Sequence, residues 1–180
     1  MRKIVLYSLV SLDGVAENPD QFVFEFDETM DANLADVIGS QDTVLLGRRQ
    51  YEEWASYWPT AEHEPFASFI NSVPKYVFTS APLPAGWTNT TVVPSDTVEF
   101  VRDLKNGAGG EIGVHGSLSL ARSLLAAGLI DQIRLVVYPT LAGSGRKLLD
   151  DAKAVQKLKL QRAESTPSGG LLLDYEFARP

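Results

Sequence analysis

The stretch "EIGVHGSLSLARSLLAAGLID", residues 111–131, decides the fold. An apolar run, "EIGVHG", passes through Gly116 and Ser117 into a segment where Leu118, Ala121, Leu124 and Leu125 share one face at helical spacing. Ser117 stands where a helix N-cap belongs, and Gly128 stands where helices usually end. A buried strand that feeds directly into a helix is the repeating unit of an α/β sheet.

Outward from this unit, apolar runs of strand length recur at "KIVLYSLV" (3–10), "DTVLLG" (42–47), "KYVFTS" (75–80), "TTVV" (90–93), "QIRLVVYP" (132–139) and "LLLDYEF" (171–177). Helical segments are predicted at Glu28 to Ile38, Arg49 to Trp58, Pro65 to Asn71, Thr97 to Lys105 and Ser117 to Ala127. Near the C-terminus, "KLKLQRAEST" and "LLLDYEF" are joined through Pro167, Ser168, Gly169 and Gly170, residues suited to a hairpin turn. The expectation is one α/β domain over residues 1–180: a mostly parallel central sheet, helices on both faces, and a C-terminal antiparallel hairpin.

With 180 residues the chain is long enough to bury roughly 70% of its unfolded surface. A net charge of -7 argues against nucleic acid as a partner, because that affinity comes from many Lys and Arg on phosphates. The absence of cysteine removes disulfides, thiolate metal sites and a cysteine nucleophile, and no metal is expected. The N-terminal apolar run is too short for a secretory leader and is interrupted by Asp13; no stretch reaches the length of a membrane span. A cytoplasmic protein with no membrane partner is the expectation.

At "VHGSLSL" the helix start offers unpaired N–H groups and a positive dipole end, an arrangement suited to an anion such as a pyrophosphate. Gly116, Ser117 and Leu118 are the candidate residues, although a plain serine cap explains the same pattern. "TVLLGRRQYEEW" has the same architecture: Gly47 ends a strand, and Arg48 and Arg49 begin a helix whose dipole they oppose unless an anion visits. Thr79 and Ser80 end a third strand with hydroxyls. None of these strand ends carries the acidic residue that holds the 2'-hydroxyl of NAD, so a 2'-phosphate cofactor, NADPH, is preferred.

Taken in order, "SLVSLDGVAE", "VLLGRRQYEEW", "KYVFTS", "VHGSLSLARSLLAAGLID" and "LVVYPTLAGSGRKLL" resemble the reductase domain at the C-terminus of the bacterial riboflavin-biosynthesis deaminase-reductase. The resemblance implies a three-layer dihydrofolate reductase-like fold and NADPH binding by Gly47, Arg48, Thr79, Ser80, Gly116, Ser117 and Leu118; Arg49, the second of the basic pair, is added to this set from the residues alone. It also implies a cis peptide at the His115–Gly116 turn, and places Asp13, from Ser-Leu-Asp-Gly, beside the nicotinamide and substrate. On the residues alone Asp13 is equally a turn former. Asp31, on the helix before Gly47, is the best-placed carboxylate for a pterin, with Asp27 and Glu28 close behind; in a first helical turn it is equally a solvated charge.

The implied activity is NADPH-dependent reduction of a pyrimidine- or pterin-like heterocycle, as in 5-amino-6-(5-phosphoribosylamino)uracil reductase. The alternatives are a dihydrofolate or pterin reductase and a non-catalytic NADP(H)-binding module. With no cysteine and only His63 and His115, the chain cannot hold the zinc deaminase domain of the complete enzyme. "GRRQYEEWASYWPT" also stands where that enzyme has an Asp-x-Pro-x-Leu-x-x-Arg segment for the substrate phosphate. The cluster Tyr51, Trp54, Tyr57 and Trp58 is read either as core or as a wall for a flat ring. A homodimer is expected, from the resemblance and from "LLLDYEFA" taken as an edge strand apolar on both faces.

Overall fold

The computed structural model describes residues 1–83, 86–94, 96–150 and 155–178. Its strands are β1 (Ile4–Ser11), β2 (Gln41–Gly47), β3 (Lys75–Phe78), β4 (Thr90–Val93), β5 (Glu111–His115), β6 (Gln132–Tyr138), β7 (Leu158–Ser165) and β8 (Leu171–Phe177). The helices are α1 (Glu28–Gly39), α2 (Arg48–Tyr57), α3 (Phe66–Ser72), α4 (Thr97–Asn106) and α5 (Leu118–Ala126). All strands join one sheet in the order β4-β3-β2-β5-β1-β6-β8-β7. The first six are mutually parallel, while β8 runs antiparallel to β6 and β7.

Alternation along the strands divides the core in two. Ile4 and Leu6 of β1, with Ile112 and Val114 of β5, pack against Val101 of α4 and Leu124 of α5. On the opposite face Val44, Leu46 and Val77 meet Tyr51 of α2 and Ile70 of α3, while Tyr7 and Val136 meet Met30 and Val37 of α1. Three layers result. The central strands are buried on both faces, which is why they read as continuous apolar runs.

β8 is not an edge strand. It lies between β6 and β7, and Leu172 is fully buried. A strand apolar on both faces is what an inner position requires; the edge falls to β7, "LKLQRAES", most of whose side chains are exposed. The ground for a homodimer that rested on an exposed β8 is therefore removed.

Strand order positions the site. Because β5 inserts between β2 and β1, α2 and α5 leave the carboxyl edge of the sheet on opposite faces, and a crevice opens between their N-termini.

Candidate active site

A cavity of about 1490 Å³ occupies this crevice. Ordinary small-molecule pockets hold roughly 300–1,000 Å³, so there is space for two ligands side by side. At the sheet edge, β5 ends at His115 and turns at Gly116 with φ +72, the left-handed region that glycine enters without strain. No cis peptide precedes Gly116; among the described residues the cis bond is Glu64–Pro65.

Ser117 follows at the N-cap of α5 but does not cap its own helix. Its Oγ instead accepts the Gly47 N–H at 2.9 Å, tying the end of β2 to the end of β5. A Cβ at residue 47 would lie 2.7 Å from that oxygen, so the close approach requires glycine. Neither α2 nor α5 has a side-chain cap. Two helix N-termini thus present unpaired N–H groups and positive dipole ends to one crevice.

Arg48 donates from Nε to Glu52 Oε1 at 2.7 Å, and Arg49 to Glu53 Oε1 at 3.1 Å. Arg49 also stands 3.5 Å from Glu17, which accepts Arg146 Nε at 2.8 Å. Both α2 arginines are exposed, and exposed pairs are worth only about 0–1 kcal/mol. A phosphate can displace their carboxylates at little cost.

Gly47, Arg48, Arg49, Gly116, Ser117 and Leu118 all line the cavity. Thr79 and Ser80 do not: Thr79 Oγ1 accepts the Ala81 N–H at 3.1 Å, closing its own turn, and Ser80 is exposed just beyond β3. Phe78 and Thr97 stand in the wall instead.

Asp13 is also outside the cavity. Its carboxylate accepts the Ser11 hydroxyl at 2.6 Å and the N–H groups of Ala142 and Gly143 at 3.0 and 2.9 Å. The Ser11 hydroxyl, then these two backbone donors, hold its pKa down at about 2. Such a group fastens the loop after β1 to the loop after β6 and has no proton to give near neutrality, so the catalytic role expected of Asp13 is not supported by its geometry.

Asp31 does line the cavity, exposed in the first turn of α1. Asp27 is committed elsewhere: it caps α1 through Met30 N–H and accepts Ser168 N–H and Oγ–H at 3.1 and 2.6 Å. The β7–β8 turn thereby holds the helix that carries Asp31.

Away from the edge, on the α1/α2/α3 face, the cavity becomes an aromatic chamber. Trp54, Tyr57 and Trp58 line it with Phe66 and Phe26, while Tyr51 is buried in the core. The rings lock one another in place: Trp58 and Phe66 meet edge-on at 4.8 Å, Trp54 and Phe66 at 5.5 Å. His115 closes the inner end. Burial lowers its pKa to about 4, and its Nε2 lies 2.7 Å from Gln41 Oε1, which selects the neutral ring protonated at Nε2.

With this geometry in place, the family model described as RibD C-terminal domain matches residues 2–172. The chain belongs to the RibD C-terminal domain family. It is 29% identical over 181 residues to the uncharacterized protein YyaP of Bacillus subtilis (strain 168), spanning 98% of this chain and 95% of that one. The candidate riboflavin biosynthesis protein of Shewanella sp. PV-4 superposes with a TM-score of 0.81 at 17% identity, over 98% of this chain and 99% of that one. The diaminohydroxyphosphoribosylaminopyrimidine deaminase/5-amino-6-(5-phosphoribosylamino)uracil reductase of Thermotoga maritima superposes with a TM-score of 0.71 at 14% identity, over 98% of this chain and 57% of that one. At these identities the solved structures show the shared fold: mostly parallel, with C-terminal antiparallel strands.

Four cavity residues of this RibD C-terminal domain were not legible beforehand. Glu17 and Arg146 come together only because Val15 and Lys147 form a bridge between the loops after β1 and β6. Gln50 bonds the His115 carbonyl through Nε2, crossing from α2 to the end of β5. Phe26 follows Phe22 and Phe24 at strand-like alternation, but no strand forms there, and nothing local marks its role. Among the described residues no helix is long and apolar enough to cross a membrane, and no cluster of three or more His, Cys, Asp or Glu offers a metal site.

Proposed function

We propose that this protein is an NADPH-dependent oxidoreductase that reduces a pyrimidine- or pterin-like heterocycle, in the manner named for the Thermotoga maritima relative. One observation carries the reading: a single cavity joins two uncapped helix N-termini to an aromatic chamber, so a dinucleotide and a flat acceptor can meet within it. The amides following Gly116 receive the pyrophosphate, and Arg48 and Arg49 meet the 2'-phosphate. When bound, NADPH supplies a hydride to an electrophilic carbon of the acceptor. Trp54 and Trp58 fix the acceptor's plane. With Asp13 held as a carboxylate, the proton comes from solvent.

Calorimetric titration with NADPH and, separately, NADH tests this. Micromolar NADPH binding with NADH at least about tenfold weaker is expected; binding of neither overturns the reading. NADPH oxidation with pyrimidine, pterin and flavin acceptors, above the protein-free rate, then separates an enzyme from a non-catalytic NADP(H)-binding module. Pairing of two copies is proposed on the resemblance alone, and a monomeric mass by light scattering at micromolar concentration would contradict it.

A further inference from the structure

The two parts of the cavity differ in charge. Its arginines, Arg48, Arg49 and Arg146, all stand at the sheet edge, where α2 begins and the loop after β6 crosses. Each is already engaged with Glu52, Glu53 or Glu17. Among the described residues no lysine or arginine lines the aromatic chamber. The cavity carboxylates not paired with the edge arginines are Asp20, Asp31, Glu62 and Glu64. None of the four forms an ion pair among the described residues.

The chamber's remaining polar wall includes His63, stacked on Tyr57, and uncharged groups. Trp58 Nε1–H, a donor, and Gln50 Oε1, an acceptor, are buried without a hydrogen-bond partner. His115 is kept neutral at the inner end by its burial and by Gln41. A phosphate or carboxylate tail in this chamber would face carboxylates and, among the described residues, no lysine or arginine, and the edge arginines are claimed by the cofactor's own phosphates.

We infer that the acceptor is a flat ring compound, uncharged or cationic, that carries no phosphate or carboxylate and lies in the aromatic chamber between α1 and α2. The inference rests on the NADPH reading for what fills the edge. It departs from the Thermotoga maritima relative, whose name specifies a phosphoribosyl substrate.

Riboflavin and FMN share one ring and one ribityl chain and differ by a phosphate, so they isolate the charge. Each is titrated into the protein saturated with NADP+, with quenching of tryptophan fluorescence as the readout. Riboflavin is expected to bind at least about tenfold more tightly than FMN. The gap should narrow as salt rises from about 0.05 to about 0.5 M, and about threefold in Asp31→Asn, because the discrimination is electrostatic. FMN binding as well as riboflavin, a gap that ignores both salt and Asp31→Asn, or no quenching by either compound would overturn the inference. Calorimetry with NADP+ is run first. If NADP+ does not bind, the NADPH reading falls and the inference, which needs the edge arginines filled, falls with it; if it binds, the riboflavin–FMN comparison tests the inference alone.

Discussion

The two edges of the parallel sheet use their polar groups in opposite ways. At the amino edge, Arg2 pairs with Asp42 and donates to Thr43 Oγ1 at 2.8 Å and Gly110 O at 2.8 Å. Lys105 pairs with Asp131, which also accepts the Ile4 N–H at 2.8 Å. Lys75, 1% exposed, donates to the carbonyls of Ile70 and Val73 at 2.8 and 2.9 Å and lies 4.5 Å from the Trp87 ring. At the carboxyl edge, α2 and α5 start without side-chain caps, and Gln50 Oε1 lacks a partner. The amino edge commits its buried cations to internal partners, although Gln41 Nε2, Thr90 Oγ1 and Gln132 Oε1 at its strand starts lack partners; the carboxyl edge leaves two helix N-termini without side-chain caps. A buried charge stabilises only when its partners satisfy it, and the cations at the amino edge have such partners.

The largest expected effect breaks the closed edge. Asp131→Ala leaves the buried Lys105 ammonium without its counter-charge, with the Leu129 carbonyl as acceptor, and the Ile4 N–H without its acceptor, and should cost about 3–5 kcal/mol of stability by chemical denaturation. NADPH affinity of the folded fraction should stay unchanged. An equal loss of affinity would show that the two edges are not separable.

Next comes His115, which belongs to the open edge yet is closed to solvent. Its pKa is held at about 4 by burial, against about 6.5 in an unfolded chain. The unfolded state therefore binds the extra proton first, and stability is lost as pH falls from about 6.5 through about 4, by up to about 3 kcal/mol. Denaturation midpoints across that range should fall less steeply in His115→Gln. Parallel pH profiles for the two proteins would remove His115 from the account.

The smallest effect concerns ligands alone. Arg48→Ala should weaken NADPH binding by about 1–3 kcal/mol through loss of a charge-assisted phosphate contact, and leave NADH nearly unaffected. Its exposed pair with Glu52 makes little change in stability expected. Equal weakening of both cofactors would move the 2'-phosphate away from α2.

Much of this architecture was legible in advance because its signals are local. The run through Glu111–His115 into Leu118–Ala126 is visible as a change of period, and every helix lies within two residues of its predicted bounds. The C-terminal hairpin follows from its Pro-Ser-Gly-Gly turn. The site was legible in part. Gly47, Arg48, Gly116 and Ser117 meet in one cavity, whereas Thr79 and Asp13 turn to backbone donors in their own and a neighbouring loop. Whether a hydroxyl or carboxylate faces a ligand or a loop depends on which N–H groups the fold brings near it. For Asp13 those belong to residues 142 and 143.

The sequence by itself determined the order of strands and helices, the mostly parallel sheet, and the two glycine-marked turns where helices begin, since these follow from periodicity and backbone chemistry within a few residues. Only the tertiary structure decided that β8 is an inner strand, that the Ser117 hydroxyl serves Gly47 rather than its own helix, and that arginines and aromatic rings separate into two halves of one cavity. Those outcomes join residues as many as 129 positions apart, such as Glu17 and Arg146, and distance along the chain carries no record of proximity in the fold.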